Sequence, residues 1–415
     1  MAPPSNPQQR ETDILIVGAG PTGLILAAAL SRSGVRVVLI EKAPTRSPYS
    51  KALVIQAGTL EALEYEFGPA LVGKILERSA ILKEGFLHLG KRAPVRIDLS
   101  LIPSPFNQVT VLSQAETESL FEDQLGPLGV KVERGSELVS LVDEGKQTVS
   151  LIRKADGTHT TLRSSYVIGC DGAHSTVRHQ LGFSFHGGAF LAEFALGDVA
   201  MDWQWPHGAL RFFSSGEGTL VCFPMKGEKR YRIITLLPPS TGEKTDVSLD
   251  ELQAIASKLC PIPIKLSDPV WLTRFKVNHR MTEHLRRGRV FLAGDAAHIH
   301  SPAGGQGMNT GIQDALNLAD KLARVLKKGE PEKLLSDYEA ERLPVARQVL
   351  RGTSLLSRVA ILPDWLPIAF ARQWIIPLFL GLVPVQRYLT RALSQVAIVH
   401  RERADRQVLP DTVTS

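Results

Sequence analysis

Residues 13–41 read DILIVGAGPTGLILAAALSRSGVRVVLIE, and this stretch determines the predicted fold. It opens with a continuous apolar run of strand length, residues 13–17, which leads into a glycine-rich turn at residues 18–23. An apolar segment of helical character follows, and a second strand-like run ends at Glu41. A strand, a glycine turn, a helix and a strand in this order predict a βαβ unit that binds a dinucleotide.

Each glycine of the turn has a distinct physical role. Gly18 permits the tight turn, Gly20 lets a pyrophosphate approach the backbone, and Gly23 lets the helix pack closely on the sheet. The helix N-terminus offers unpaired N–H groups to the phosphates. Glu41 is placed to accept hydrogen bonds from a ribose 2′-hydroxyl and would repel a 2′-phosphate, so we expect the ADP half of FAD or NAD here and not NADP.

Composition excludes several classes of protein. The 415 residues are 44% apolar and 22% charged, as in an ordinary globular protein. The net charge of +6 is not concentrated in a Lys/Arg block with interleaved aromatic residues, so we predict no nucleic-acid partner. A mildly basic surface is instead suited to attracting an anionic cofactor such as NADPH.

The cysteines and the two ends of the chain bear on its location. Three scattered cysteines form no Cys-x-x-Cys pair, which favours a reducing, cytoplasmic compartment: Cys170, Cys222 and Cys260. Residues 1–11 are polar and rich in proline, and are expected to be a disordered lead. The apolar run WIIPLFLGLVPV, residues 374–385, is too short to span a bilayer. A buried or partner-facing helix is the favoured interpretation, and contact with a membrane surface stays open.

Two later motifs have the same predicted order of strand, turn and helix. Residues 166–178 read YVIGCDGAHSTVR, with a turn at Asp171-Gly172; taken alone, this pattern predicts no more than a loop and a helix cap. Residues 292–315 read LAGDAAHIHSPAGGQGMNTGIQDA. Their glycine-rich turn lacks the Lys-Ser or Lys-Thr of a phosphate-binding P-loop.

Together these three motifs resemble those of the single-component FAD-dependent monooxygenases, the family of p-hydroxybenzoate hydroxylase, the phenol hydroxylases and the polyketide hydroxylases. The resemblance covers residues 12–345, and the late motif is its most specific part. Gln114 and Glu118, in VLSQAETESLF, match a further Gln-x-x-x-Glu element of the family.

The resemblance implies a mixed α/β fold: a Rossmann-like FAD-binding domain with an inserted, mostly antiparallel β-sheet substrate domain and C-terminal helices. The expected boundaries are residues 12–84, 102–184 and 286–345 for the FAD-binding domain, 85–101 and 185–285 for the substrate domain, and 346–415 for the helical segment. It also implies reduction of the flavin by NAD(P)H, capture of O₂ as a flavin C4a-hydroperoxide, and hydroxylation or epoxidation of a small apolar aromatic or polyketide-type substrate. Alternatives are a halogenase or double-bond reductase of the same fold, or a flavin-binding sensor without turnover. The choice of NADH or NADPH, and of monomer or homodimer, stays open.

The resemblance also implies roles for individual residues. Those expected at the ADP half are Gly18, Gly20, Gly23 and Glu41. Gln114 would lie beside the ribose and pyrophosphate, Asp171 and Gly172 near the pyrophosphate, and Gly294 and Asp295 at the ribityl chain. The turn that would meet the N1–C2=O edge of the flavin includes Pro302, Gly305, Gly307, Met308 and Asn309. Lys51, which is also expected to bind the cofactor, stands where many relatives have an arginine, and Gly58 where a second arginine often lies.

The substrate side is predicted less sharply. Alternating patterns between residues 185 and 285 indicate a mostly antiparallel sheet, one face of which should cover the flavin. Candidate pocket residues, for each of which ordinary packing is an alternative, are Trp203, Trp205, Phe212, Phe223 and Arg232. His298 and His300 are two residues apart but have no further ligands at a convincing spacing, so we predict packing and no metal site. No catalytic base can be named.

Overall fold

The computed structural model describes residues 10–48, 52–89, 93–237, 246–361, 367 and 370–401. Within these residues the strands are, in chain order, β1 (Arg10–Val17), β2 (Val37–Glu41), β3 (Val54–Ile55), β4 (Ala80–Leu82), β5 (Glu84–Leu89), β6 (Val95–Asp98), β7 (Val109–Val111), β8 (Val132–Arg134), β9 (Glu137–Asp143), β10 (Thr148–Arg153), β11 (His159–Gly169), β12 (His186–Asp202), β13 (Leu210–Ser215), β14 (Gly218–Pro224), β15 (Arg230–Leu237), β16 (Lys265–Met281), β17 (Arg286–Arg287), β18 (Val290–Leu292) and β19 (His298–Ile299). The α-helices are α1 (Pro21–Arg32), α2 (Ala57–Phe67), α3 (Pro69–Arg78), α4 (Gln114–Asp123), α5 (Thr176–Gln180), α6 (Leu249–Leu259), α7 (Gly307–Lys328), α8 (Leu335–Ile361), α9 (Ile376–Leu380) and α10 (Val383–Leu393).

The first sheet is built around β1. Its parallel neighbours are β2 and β11, and β8 and β18 extend the parallel sheet on either side. β10 and β9 continue antiparallel from β11. The second halves of β1 (residues 14–17) and β11 (residues 166–169) are buried, as expected of central strands that helices cover. This is the Rossmann-like half of the predicted α/β fold.

Close packing of α1 against α7 depends on residues without a side chain. A Cβ on Gly311 of α7 would lie 2.5 Å from the Thr22 hydroxyl of α1, and one on Gly294 would lie 2.6 Å from the same atom. A Cβ on Gly23 would overlap the carbonyl oxygen of Gly18. The first and last motifs are therefore in direct contact, although almost 300 residues separate them.

The second sheet is mostly antiparallel, in the order β19-β16-β12-β15-β14-β13-β5-β6. Only the pair β13–β5 is parallel. Helix α6 covers one face, where Leu252 and Ala256 pack with side chains of β12, β14 and β15. Gly197 of β12 makes room for this helix, since a Cβ there would lie 2.8 Å from a methyl group of Leu252.

The predicted domain limits need two adjustments. β1 begins at Arg10, so residues 10 and 11 belong to the first sheet and not to a disordered lead. β19 follows β18 in the chain, but it pairs with β16 of the second sheet. We propose the remaining boundaries as predicted, with β5 and β6 joined to the second sheet. A small third sheet, β3-β7-β4, lies between these two parts of the chain.

Candidate functional site

The first glycine turn is open on the side where a ligand would lie. Gly18 has φ +102°, a conformation that favours glycine, and its backbone lies against Cys170 and Asp171 of the middle motif. A Cβ on Gly20 would point into open space, and no described side chain caps the N-terminus of α1. The free N–H groups at this end of α1 are suited to a phosphate.

Glu41 lies directly beside this turn. Its Oε2 accepts a hydrogen bond of 2.8 Å from the Ala19 N–H, and its Oε1 accepts one of 2.8 Å from the Ala43 N–H. The carboxylate is thus fixed at the end of β2 next to the loop, and its remaining lone pairs can accept hydrogen bonds from ribose hydroxyls.

Asp171 organises the middle motif. Its carboxylate accepts hydrogen bonds from the Ser175 hydroxyl at 2.5 Å and from the Thr176 N–H at 2.6 Å, at the start of α5. Burial raises the pKa of this carboxyl group. Gly172 has φ +76° and turns the chain after it. The structure therefore places both residues beside the first glycine turn, with the Asp171 side chain directed into its own loop.

Arg178 joins the middle and late motifs, a role that our sequence interpretation missed. Its Nη1 donates to the Ala296 carbonyl at 3.0 Å, its Nη2 donates to the Ala173 carbonyl at 2.9 Å, and its guanidinium lies over the Phe185 ring. The side chain is buried. Its place in CDGAHSTVR, directly after Val177, was the available signal, because an arginine that is buried beside an apolar side chain requires acceptors nearby.

The late motif turns sharply at its start. Gly294 has φ +62° and begins a single 3₁₀ turn, Gly294–Ala296, over Thr22 of α1. Asp295 is exposed on this turn. A carboxylate in this position can accept hydrogen bonds from the ribityl chain, the polyol that links the flavin ring to the pyrophosphate.

A buried ionic network centred on Asp314 holds this turn in place. The Asp314 carboxylate accepts hydrogen bonds from the Gly294 N–H at 3.1 Å, from Nε2 of His298 at 2.7 Å and from Nε of Arg342 at 2.7 Å. The nearby Arg342 and His298 hold the pKa of Asp314 at about 2, against the opposing effect of burial. Sequence reasoning missed Asp314 and Arg342; the signal was an acid on the apolar, core-facing side of α7.

The glycine-rich turn ends at the N-terminus of α7. Asn309 is fully buried: its Oδ1 accepts from the Gln56 N–H at 2.8 Å, and its Nδ2 donates to the carbonyls of Val54 and Gly305 at 2.8 Å. Gly305 has φ +62° and lies against Val54. Pro302 accepts a turn hydrogen bond from Gly305, and the half-buried Gly307 and Met308 begin α7, whose N-terminus no described side chain caps.

His298 and His300 lie side by side in the late motif. Their rings lie parallel with centroids 6.4 Å apart, and the described residues contain no cluster of three or more metal-ligating side chains. Nε2 of His300 is buried without a hydrogen-bond partner in the described structure, and its ring carbon lies close to Gly307. Burial, together with His298, lowers the pKa of His300 to about 4, so this imidazole is neutral at pH 7.

Gln114 lies at the start of α4, where its Nε2 donates to Glu118 at 2.8 Å and its backbone N–H donates to the Ala52 carbonyl at 3.1 Å. Burial raises the pKa of Glu118. Lys51 precedes Ala52 but lies outside the described residues. Gly58, on α2, lies directly against the backbone of Gln395.

The five predicted pocket residues do not share one face of the second sheet. Trp203 and Trp205 pack with the α6-covered cluster, where the Trp203 Nε1 donates to the Tyr231 hydroxyl at 3.3 Å. Phe223 packs on the opposite face, against the cluster of Leu53 and Val111. The two tryptophans and Phe223 therefore pack on opposite faces of the sheet, which corrects the expectation of one shared pocket.

The face opposite α6 carries Phe212, Phe223 and Arg232. Arg232 is fully buried, its Nε and Nη2 donate to Asp198 at 2.6 and 2.7 Å, and its Nη1 donates to the Ala52 carbonyl at 3.2 Å. These contacts direct the face toward the glycine turns. Aromatic side chains there that sequence reasoning missed are Phe194 and Phe275, which stack at 5.8 Å, and Trp271, which lies near Arg232.

The three predicted cofactor motifs are thus in direct contact, and we call the region that they share the cofactor site. The open Gly20 turn, the carboxylate of Glu41 and the uncapped helix N-termini offer the donors and acceptors that a flavin dinucleotide requires. The buried, unpaired Nε2 of His300 beside Gly307 is a further polar group that a ligand would satisfy. On these observations the residues present fit FAD.

A family model described as an FAD binding domain matches residues 11–353 of the chain. The chain belongs to this FAD binding domain family. Its fold is mixed α/β, it is an FAD-dependent oxidoreductase, and FAD is its cofactor.

Relatives of this family member are named as monooxygenases. An uncharacterized aromatic compound monooxygenase, YhjG, of Bacillus subtilis (strain 168) is 34% identical over 401 residues, which are 96% of this chain and 78% of that relative. The 6-methylpretetramide 4-monooxygenase of Streptomyces rimosus is 34% identical over 372 residues, 88% of this chain and 66% of that relative. The pentachlorophenol 4-monooxygenase of Sphingobium chlorophenolicum is 32% identical, over 85% of this chain and 65% of that relative.

A solved structure shows the same fold. The OxyS anhydrotetracycline hydroxylase from Streptomyces rimosus matches with a TM-score of 0.76 and 30% identity, over 92% of this chain and 76% of its own. No helix among the described residues has the length and apolarity needed to cross a membrane.

Proposed function

We propose that the chain is a monooxygenase that inserts one oxygen atom of O₂ into a small, apolar aromatic or polyketide-type substrate, with NAD(P)H as the electron donor. In a hydroxylation, substrate C–H, O₂, NAD(P)H and H⁺ give C–OH, H₂O and NAD(P)⁺; an epoxidation adds the same oxygen atom across C=C. The proposal rests on the direct contact of the three flavin motifs, in a chain whose relatives are named for oxidation of phenols and tetracycline-type compounds.

In this proposal, different residues of the cofactor site would bind different parts of FAD. The turn Gly18–Gly20 and the N-terminus of α1 would hold the pyrophosphate, and Glu41 the ribose. Asp295 would bind the ribityl chain. The N–H groups of Gly307 and Met308 would lie at the pyrimidine edge of the flavin, where a helix N-terminus stabilises negative charge. When bound, FAD supplies the redox chemistry that carries electrons from NAD(P)H to O₂.

The face of the second sheet opposite α6 would cover the substrate at the cofactor site. Its aromatic side chains offer an apolar surface to a flat substrate, whereas Arg232 is already committed to Asp198 and Ala52. Exclusion of water there would limit wasteful release of H₂O₂.

The first experiment is a titration of apoprotein with FAD, followed by flavin fluorescence. We expect Glu41→Ala to weaken FAD binding by about ten- to one hundred-fold, because the charged carboxylate that would accept hydrogen bonds from the ribose hydroxyls is lost. Glu116→Ala removes an exposed acid of α4 and should leave binding unchanged. Protein that takes up no FAD would contradict the assignment of the cofactor site.

The second experiment tests turnover. NADH and NADPH are each added anaerobically with a panel of phenols and polycyclic aromatic polyketides, and bleaching of the flavin is followed. Reoxidation with O₂ should then give the transient near-UV absorbance of an oxygenated flavin and a product heavier by one oxygen atom. A flavin that neither nucleotide reduces, with any substrate present, would favour a sensor. A halogenated or hydrogenated product would favour the other redox chemistries.

A further inference from the structure

An exposed apolar surface lies in the C-terminal part of the chain. Of the fourteen large apolar side chains that are exposed in the described residues, eight fall between residues 370 and 388, with exposures from 44% to 73%. We call these the C-terminal apolar face: Phe370, Trp374, Ile375, Leu378, Phe379, Leu382, Val383 and Tyr388. Such a concentration of exposed apolar side chains marks a binding surface.

The arrangement of this face is helical. Phe370, Trp374 and Leu378 follow at intervals of four residues, through a π-helical turn (Ala371–Ile375) and α9, and Leu382 lies just beyond α9. The rings of Phe370 and Trp374 stack with centroids 6.1 Å apart. These side chains therefore form a continuous stripe.

The opposite side of this segment is already attached to the second sheet. Gln386 of α10 is buried, and its Nε2 donates to the Arg96 carbonyl of β6 at 3.0 Å and to the Leu380 carbonyl at 2.9 Å. Its Oε1 accepts from the Asp98 N–H at 3.0 Å. Because the segment is docked through its polar side, its apolar side faces outward.

The charge of this part of the chain is mainly positive. Residues 346–401 contain seven arginines and one acid, Asp364. Taking these from the 48 basic and 42 acidic residues of the whole chain leaves 41 of each, so this segment carries the entire net charge of +6. Four of the arginines are exposed and form no ion pair with a described residue: Arg347, Arg351, Arg387 and Arg391.

We propose that the C-terminal apolar face binds the surface of a bilayer that contains anionic phospholipids. Apolar and aromatic side chains flanked by arginines are the composition of a helix that lies in the membrane interface, and no described helix could span the bilayer. A two-fold dimer through the same face would bring the exposed arginines of both copies to one interface, which like-charge repulsion opposes. The charge therefore favours lipid over a second copy as the partner.

The test is flotation of the FAD-loaded protein with vesicles of phosphatidylcholine, alone or mixed with phosphatidylglycerol. We expect binding to the mixed vesicles that high salt weakens. Leu378→Ser/Phe379→Ser should lower the partition coefficient at least ten-fold on both vesicles, an order-of-magnitude expectation from the lost apolar burial. Arg387→Gln/Arg391→Gln should lower it by roughly 30-fold on the anionic vesicles and little on phosphatidylcholine.

Matched controls change equivalent residues elsewhere. Val142→Ser/Val270→Ser removes two exposed apolar side chains, and Lys131→Gln/Lys328→Gln removes two exposed charges; both should float like the unchanged protein. Absence of flotation with either vesicle would overturn the proposal. So would equal flotation of the Leu378/Phe379 variant, or a dimer that this variant dissolves in protein that does not bind vesicles. The readout is independent of turnover, so its outcome is separate from that of the proposed function.

Discussion

Asp314 is fully buried, and its carboxylate connects the Gly294 turn, His298 and Arg342. Asp314→Asn leaves the Arg342 guanidinium buried without its counter-charge. We therefore expect a loss of about 3–5 kcal/mol in the free energy of unfolding. Urea denaturation measures this loss, and FAD titration should show weaker binding because Gly294 is released as well.

A nearby acid on the same helix provides the control. Asp320 is partly exposed and lies four residues before Arg324, so Asp320→Asn should cost no more than about 1 kcal/mol. A pH series adds a second measurement. The pKa of Asp314 is about 2 in the folded protein, below the ordinary value of 3.8, so its contribution to stability is complete above pH 3.8 and is lost as the pH falls toward 2. Equal acid sensitivity of Asp314→Asn and the unchanged protein would contradict this role.

His300 should make the protein sensitive to pH in a milder range. Its pKa is about 4 when folded and 6.5 ordinarily, so the unfolded chain takes up a proton first as the pH falls. Stability is then lost between pH 6.5 and 4, by about 1–3 kcal/mol, because partial exposure of the ring reduces the full effect. In His300→Asn, the free energy of unfolding should therefore depend less on pH between 6.5 and 4.

His88 separates this effect from general acid sensitivity. Burial and Arg211 lower its pKa to about 4 as well, but it packs against Phe213 in the second sheet, on the α6 face. His88→Asn should therefore change stability in the same pH range without changing the pH dependence of FAD affinity. His300→Asn should change both, and the same FAD profile in both variants would place His300 outside the cofactor site.

At the scale of elements, Gly58 lets the C-terminal segment dock on α2. A Cβ at this position would lie 2.6 Å from the carbonyl carbon and oxygen of Gln395, and the Gly58 N–H donates to the Ser394 carbonyl at 2.9 Å. Since backbone atoms cannot move aside as a side chain can, Gly58→Ala should displace residues 394–396. We expect a loss of about 1–3 kcal/mol and faster proteolysis of the C-terminal segment.

Another helical glycine shows whether the effect depends on this contact. Gly73 of α3 has open space where a Cβ would lie, so Gly73→Ala should be neutral or stabilise the protein by up to about 1 kcal/mol. If Gly58→Ala behaved in the same way, docking of the C-terminal segment on α2 would not contribute to stability.

The elements around the glycine turns were predictable from sequence, because their physics is local. Residues 13–17, the turn and Glu41 specify a strand, a helix and a second strand within one short stretch, and the structure has β1, α1 and β2 there. The docking of Gln395 on α2 was not predictable. It depends on a contact between residues more than 300 positions apart, and a single glycine in a helix gives no indication of its partner.

At the scale of the whole molecule, the mixed α/β fold with two main sheets is confirmed, whereas the composition of the substrate pocket could not be predicted. Trp203 and Trp205 lie beyond the end of β12, so strand alternation does not fix their direction in advance. They join the α6 face, while Trp271 and Phe275 occupy the other. The roles assigned to the cofactor-binding residues stay predictions that the FAD titrations test.

One buried ion pair of the second sheet contacts the chain next to β3. Asp198 of β12 and Arg232 of β15 are direct neighbours on adjacent strands of the second sheet. Arg232 also donates to the Ala52 carbonyl, next to the start of β3. Asp198→Asn leaves a buried cation without its partner and should cost about 3–5 kcal/mol, measured by urea denaturation.

Replacing both partners separates stability from the position of the sheets. Asp198→Leu/Arg232→Met fills the same space with apolar side chains and should recover most of the lost stability, since buried ion pairs contribute little beyond such packing. The hydrogen bond from Arg232 to Ala52 is still missing in this double variant, and Ala52 also accepts from Gln114 at the proposed ribose end of the cofactor. We therefore expect a stable protein with weaker FAD binding. Recovery of both stability and FAD binding would show that packing alone holds the second sheet against the cofactor site.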